Sequence, residues 1–513
     1  MNERTKTKWR WRLLRWGLIG LAVIATLAAI LITEENWRGK RAWGNYKRAA
    51  EARGERFDLA SLVPPVSDDQ NFFYAPIVAE TLDQIRKDGS DHSGQSNYRL
   101  NFNIYRGEMA DWITNGGDWR KGWLLDLKEW QGAFRKYNES PEGRTNGFPM
   151  AAQPQTPAAD ILLALSIFNP AVEELRQASL RPYARMPLNY ENGFDTAGEL
   201  LPWLANMKRC AQFLQLRILA ELGDGQGGPA LDDIKLLLGV NDSLRDQPYL
   251  ISHLVRIAIV AITLQPVYEG LAQHRWSDAQ LMELERTLAR QDFLADFQLA
   301  MKGEKIMAIQ TFERQRITRE SKQWAESSGT NKLVTISYRF MPSAYFYQNE
   351  LAFAQMHQKY ILPLIDQRNR IVAPAALRQS QAAVEAQKKH CFWPYQAQAV
   401  MVIPAISACV KKMTVIQSQV DLARVACALE RYRLAHGNYP ETLDALAPQF
   451  IEELPHDLIN GQPLHYRRTE GGQFILYSVG WNEMDDGGKI VFFTKGGSVN
   501  LEKGDWVWQY PAL

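Results

Sequence analysis

Side chains suited to chemistry are scattered through this chain rather than gathered. His390 and Cys391 are adjacent, as in the start of a metal site. Zinc needs two or three further ligands at set spacing, and His390-Cys391-Phe392-Trp393-Pro394 has none nearby. The four cysteines, Cys210, Cys391, Cys409 and Cys427, show no CxxC spacing. On one helix Cys409 and Cys427 would stand ~27 Å apart at 1.5 Å per residue, beyond disulfide reach. All four read as small buried hydrophobes, and an oxidising location leaves a bridge from Cys210 open. There is no G-x-S-x-G elbow, no H-E-x-x-H pair and no phosphate-binding glycine loop with lysine. A glycosidase needs two carboxylates facing a cleft, and 57 acidic residues do not single out a pair. Trp119, Trp123, Leu127, Trp130 and Phe134 follow a candidate N-cap, Asp118, at helical spacing. Such tryptophans can stack on sugar rings, but the spacing is first that of a helix facing a core.

The elements that would position these groups fall into three parts: residues 1–33, 34–395 and 396–513. The first fifteen residues set Arg4, Lys6, Lys8, Arg10, Arg12 and Arg15 against Glu3 alone, while the whole chain carries a net charge of only +2. Trp16–Ile32 then runs for seventeen residues without a charge. That is the short end of the ~17–25 residues that cross a bilayer. The basic flank predicts a cytoplasmic N-terminus, and Trp9, Trp11 and Trp16 mark the near interface. The rival is a cleaved signal peptide, whose apolar core is usually ~7–15 residues and ends at an A-x-A-like site. This core is longer, and Thr26-Leu27-Ala28 matches such a site weakly. An uncleaved signal-anchor of a bacterial inner membrane is expected, single-pass, with the bulk of the chain periplasmic. No second basic tract exists, so nucleic acid is not an expected partner.

Glu34–Arg56 reads as a helical stalk, ended by Val63-Pro64-Pro65. Residues 70–86 favour helix, 87–117 look irregular, and 139–156 form a loop. From Thr156 to about Thr318 helix follows helix: Leu200–Leu222, a break at GDGQGG, Leu231–Leu238, then Tyr249–Ala272. Ser277 with Gln280 three residues on predicts a capping box. Short turns between apolar-faced helices predict a bundle or solenoid, with no repeat of fixed period. Val255–Val267 and Ala397–Val410 are apolar, but His253 and Arg256 interrupt the first and Pro404 the second. Both are expected to be buried helices rather than spans. Residues 319–346 read as a long loop, Tyr347–Leu364 and Ala375–Lys389 as helices.

The last part reads as one unit. A helix from about Ile406 to His436 ends at Gly437, and Asn438-Tyr439-Pro440 turns the chain. Leu464–Thr469 and Gln473–Val479, joined through Glu470-Gly471-Gly472, read as a hairpin, and Lys489–Thr494 as a third strand. The order predicts a small antiparallel sheet on a long helix. ALERYRLAHGNYPETLDAL resembles the helix end and turn of the major pseudopilin of type II secretion systems. LPHDLINGQPLHY is similar to that family's proline-Asp-Gly-Tyr segment, and LYSVGWNEMDDGG to its terminal loop. The likeness spans about residues 415–490. It implies a pilin-like C-terminal domain and calcium in the last loop, on Asn482, Asp485 and Asp486. Calcium takes ~6–8 oxygen ligands. The other reading of these residues is a solvated acidic turn. The N-terminal apolar segment lacks the glutamate of prepilins and lies far from the pilin-like helix, so leader processing by a prepilin peptidase is not expected. The whole chain also resembles uncharacterised exported bacterial membrane proteins with this tail.

The expected fold class is therefore mainly α: an N-terminal transmembrane helix, a helical body, and a C-terminal α+β pilin-like module with a small antiparallel sheet. The expected function is that of a membrane-anchored, non-enzymatic envelope protein with a pseudopilin-like head. It would serve as a protein-interaction or secretion-related scaffold with other envelope proteins as partners. No small-molecule substrate is inferred, and no cofactor beyond calcium. The alternative is an exported hydrolase acting on polysaccharide.

Overall fold

The computed structural model describes residues 3–88, 98–192, 195–319, 339–390, 394–494 and 497–510, and it is mainly helical. In chain order the longer helices are α1 (Glu3–Ala52), α2 (Pro76–Asp88), α3 (Leu127–Glu139), α4 (Pro157–Leu165), α5 (Asn169–Ser179), α6 (Asp195–Gly223), α7 (Gly227–Asp242), α8 (Leu250–Ala272), α9 (Asp278–Ala289), α10 (Phe293–Thr318), α11 (Ser343–Met356), α12 (Pro374–His390) and α13 (Ala397–His436). The strands are β1 (Ile365–Asp366), β2 (Ile371–Val372), β3 (His465–Arg468), β4 (Phe474–Ser478), β5 (Ile490–Phe492), β6 (Val499–Gly504) and β7 (Trp506–Gln509). The chain divides into two compact units. One contains Met1–Phe57, Lys305–Ile361 and Gln381–Ala405; the other contains Asp58–Glu304, Leu362–Ser380 and Ile406–Leu513.

In the first unit the stalk half of α1 lies along α11. Asn36 Oδ1 accepts the Ala344 N–H at 2.7 Å, and Tyr46 donates to Gln358 Oε1 at 3.4 Å. Between them Gly39 approaches so closely that a Cβ would lie 3.3 Å from both Ala344 Cα and Tyr347 Cβ. The two helices therefore run parallel and in step. Asn349 Oδ1 accepts from the N–H groups of Gln398 and Ala399 at 3.0 and 3.2 Å, capping the first turn of α13. The expected helix Tyr347–Leu364 begins earlier, at Ser343, and gives way to a π turn at His357–Ile361. Of the expected loop 319–346, residues 320–338 lie outside the described ones, as does Cys391.

In the second unit α6, α7 and α8 pack on one another, α4 packs on α6, and α9 on α7. The capping box forms as expected: the Gln280 N–H donates to Ser277 Oγ at 3.4 Å, and the Ser277 N–H to Gln280 Oε1 at 3.0 Å. The expected helix behind Asp118 does not form as one piece. Trp119–Lys121 is a single 3₁₀ turn that stops at Gly122, left-handed at φ 73°. The helix proper starts at Leu127 behind Asp126, whose side chain accepts from the Lys128 N–H at 2.8 Å. Trp119 and Trp130 are buried, but Trp123 is exposed beneath the Lys121 ammonium. Pro404 does not break its helix either; α13 runs through it unbroken.

The C-terminal hairpin forms as β3 and β4, with Tyr466 opposite Leu476. The strand expected at Lys489–Thr494 exists as β5, but it pairs with β6 in a separate two-stranded sheet. The third strand of the main sheet is β7, giving the antiparallel order β3-β4-β7. Gln419 and Leu422 of α13 share a pocket lining with Val499, Leu501, Trp506 and Val507, so the strands lie against the helix.

Candidate functional site

The turn after α13 is built on one carboxylate. Gly437 is left-handed at φ 84°, and its N–H reaches the Arg433 carbonyl at 2.7 Å. The chain then drops Tyr439 into the core, where its hydroxyl donates to Glu430 Oε2 at 2.9 Å. Glu430 is itself buried. It also accepts from Arg433 Nε and Nη2 at 2.8 and 2.6 Å, and faces His274 Nδ1 at 2.7 Å. Burial first, then the Glu430 charge, push the Tyr439 hydroxyl up, so it remains a donor. Its ring meets Phe474 of β4 edge-on at 4.9 Å. The Tyr-Pro turn thus fastens helix to sheet.

The acidic loop follows β4. Glu483 and the glycines Gly487 and Gly488 take left-handed conformations at φ 63°, 73° and 81°. Asn482 Nδ2 donates to Asp486 Oδ2 at 2.7 Å. Asp485 turns the other way: Oδ1 accepts from the Tyr477 hydroxyl at 3.0 Å and the Gly487 N–H at 2.9 Å, and Oδ2 lies 3.4 Å from His465 Nδ1. The Gly487 N–H first, then the Tyr477 hydroxyl, hold its carboxyl below the usual range. The structure therefore pairs Asn482 with Asp486, while Asp485 is engaged by Tyr477 and Gly487. Among the described residues no three His, Cys, Asp or Glu side chains gather as a metal ion would require.

What organises the loop is Asp505, which no spacing rule connects to it. Its carboxylate, buried beside β7, accepts from the N–H groups of Asp486, Gly488 and Lys489 at 3.2, 2.6 and 3.3 Å. Burial pushes Asp505 up, against the pull of those three donors. Asp505→Ala leaves the N–H groups unsatisfied and is expected to lower stability by about 1–3 kcal/mol. Urea unfolding of the detergent-solubilised chain checks this, and unchanged stability would mean that water replaces the carboxylate.

The helical body buries further charge. Asp233 accepts from Arg176 Nη2 at 2.5 Å and lies 3.2 Å from Arg217 Nε, which is also 3.3 Å from Glu221. Burial pushes both carboxyls up. Arg256 is wholly buried, with Nη1 donating to Asp296 Oδ2 at 2.6 Å. His253 Nε2 bonds the Gln247 carbonyl at 3.0 Å, so that nitrogen carries the proton. Burial, then the Arg256 charge, push its pKa down to about 3, leaving a neutral ring. A cleft of about 610 Å³ opens in this unit, lined by Arg181, Arg245, Arg290, Asp242 and Asp246 among others. Two serines on its wall donate to backbone, Ser179 to the Arg176 carbonyl and Ser243 to the Val240 carbonyl, both at 2.7 Å. Asp242 accepts from Arg245 Nη2 at 2.8 Å. The cleft can hold mixed charge, and neither serine is presented to a base.

Three helices are long and apolar enough to cross a membrane by length and composition: Trp11–Ala52, Leu250–Ala272 and Ala397–His436. They differ in cover. None of the most apolar stretch of α1 is buried in the protein, against 61% of the corresponding stretches of α8 and α13. His253 and Arg256, which interrupt α8, find protein partners. Comparison with family models, curated proteins and solved structures finds no match to this chain.

Proposed function

We propose that this is a membrane-anchored, non-enzymatic envelope protein whose C-terminal module, a pilin-like head, engages other envelope proteins as a scaffold related to secretion. The observation that carries the reading is the bare apolar stretch of α1, continuous with a stalk that has its own packing partners. An apolar surface of that size calls for lipid. The basic N-terminal flank supports a cytoplasmic start and a periplasmic body at a bacterial inner membrane. The Glu430–Tyr439 clasp supports the head, because it gives the Tyr-Pro run a structural role. Two measurements test the reading. Protease added to spheroplasts is expected to digest the chain beyond the stalk while leaving an N-terminal tag protected. Crosslinking followed by detergent extraction is expected to recover envelope proteins, and to lose them when residues 437–510 are removed. A chain found in the soluble fraction, or a tag digested from outside, defeats the anchor.

The likeness to pseudopilins also implies calcium at Asn482, Asp485 and Asp486, and that part is separable. Calcium must draw Asp485 off Tyr477, so binding is expected to raise the thermal midpoint, and Asp486→Asn to abolish the rise. Equal midpoints in calcium and in chelator remove calcium and leave the anchor untouched.

A further inference from the structure

We propose that the first unit makes a second contact with the bilayer. Phe340 and Ile317 enter the boundary between headgroups and acyl chains of the leaflet from which α1 emerges, with Arg319 and Arg339 at the level of the phosphates. The proposal rests on α1 being a membrane span.

Height above the membrane can be counted along α1. The helix is unbroken from the span into the stalk, and Asn36 lies four residues past Ile32, ~6 Å at 1.5 Å per residue. Asn36 holds the first turn of α11 through the Ala344 N–H. Farther along α1, Tyr46 meets Gln358. Thus α11 runs away from the membrane, and residues 339–342, which lead into it, lie on the membrane side. The second half of α10 comes the other way. Lys305 pairs with Glu55 near the top of the stalk, and Arg316 covers the Tyr347 ring at 4.4 Å. Arg319, just past the helix end, reaches the Met341 carbonyl and, at 2.8 Å, Ser343 Oγ. Both ends arrive at the height where the span surfaces.

The side chains they present there are not those of a surface meant for water. Met341 packs inward on Tyr345 and Phe346. Its neighbour Phe340 is 80% exposed, more than any other large apolar side chain among the described residues, and Ile317 is 68% exposed. Trp37, at 59%, stands at the same height on α1. Arg319 donates to a carbonyl and a hydroxyl and lies over the Phe346 ring at 5.4 Å, with no carboxylate partner among the described residues, so its charge is available to lipid phosphate. Trp16 and Trp37 are separated by ~32 Å of helix, close to the ~30 Å thickness of the hydrocarbon core, so the two rings can stand at its opposite edges. Aromatic and apolar tips flanked by arginine are what an interfacial surface requires.

The test uses the full chain in vesicles of phosphatidylethanolamine and phosphatidylglycerol. Nitroxides are placed on Phe340→Cys, Ala22→Cys and Arg53→Cys, and the wild-type signal is subtracted; its Cys210, Cys409 and Cys427 are buried. Oxygen and a water-soluble nickel chelate then report depth. Position 22 should lie in the hydrocarbon, position 53 in water, and position 340 about 5–10 Å below the phosphates. Position 22 deep with position 340 in water overturns this proposal and leaves the anchor intact. Position 22 in water overturns the anchor and the second contact with it.

Discussion

Glu430→Ala is expected to be among the most damaging single changes in the C-terminal module, costing about 3 kcal/mol of folding stability. The reason is what the carboxylate leaves behind. Tyr439 keeps a buried hydroxyl without its acceptor, Arg433 loses a two-point partner, and His274 loses the oxygen facing it. Breaking a buried ion pair from one side costs roughly 3–5 kcal/mol, because the surviving charge stays desolvated. The low end applies here, since Arg433 is 25% exposed and can recruit water. Tyr439→Phe removes one hydrogen bond and is expected to cost about 1–2 kcal/mol. The two changes share an interaction, so the double variant should lose less than the sum. Urea unfolding of the detergent-solubilised chain, followed by tryptophan fluorescence, measures all three. A strictly additive double variant would show that the hydroxyl and the carboxylate do not act together.

Much of this architecture was legible in the residues because the signals were local. A charge-free run behind six basic residues, a Ser-x-x-Gln cap and a Gly-Gly hairpin turn each act within a few residues, and each formed where expected. Reading failed where the deciding partner was remote. Trp119 to Phe134 kept helical spacing, yet Gly122 took a left-handed turn. The segment is instead held by α8: Gln265 Oε1 accepts the Trp119 N–H at 2.7 Å, and Glu269 Oε1 the Leu125 N–H at 2.8 Å. Pro404 lacks one N–H, but its helix continues regardless. The strand Trp506–Gln509 is short, and although Gly504-Asp505 just before it is a turn signal, nothing local says that it pairs with β4 rather than with its predecessor, so the sheet was assigned the wrong third strand. In the acidic loop, Asn482, Asp485 and Asp486 could be picked out by type. Asp505, which ties the loop, lies on the far side of two strands, and spacing alone gives no reason to connect it.

Glu350→Gln is expected to stabilise the protein, and to do so only above mildly acidic pH. Glu350 is 1% exposed, and neither carboxylate oxygen accepts a hydrogen bond; Arg316 Nε is 3.7 Å away. At that separation attraction does not repay the loss of water, and burial pushes the carboxyl up to about 8. An unfolded glutamate titrates near 4.3. Between those values the folded chain keeps a proton that the unfolded chain has released. Stability therefore falls as pH rises, by up to ~1.4 kcal/mol per pH unit. Below about pH 4 both states are protonated and the group contributes no slope. Glu269, pushed up to about 7, and Asp421, to about 6, act in the same direction, burial being the leading cause in each. Glu55 and Asp160 oppose them. Burial is the largest single influence on each, but the hydrogen bonds and charges of Lys305 and Arg53 on Glu55, and of Arg135 with the Gln131 amide on Asp160, together exceed it and hold these carboxyls low, so their contribution is lost as the medium becomes acidic. The glutamine removes one descending contribution, keeps the volume, and is expected to gain about 2 kcal/mol at pH 8 and close to nothing at pH 4. Urea midpoints for both chains across that range decide it: a variant that tracks the wild type at every pH would mean that Glu350 is already ionised and paired with Arg316 in the folded state.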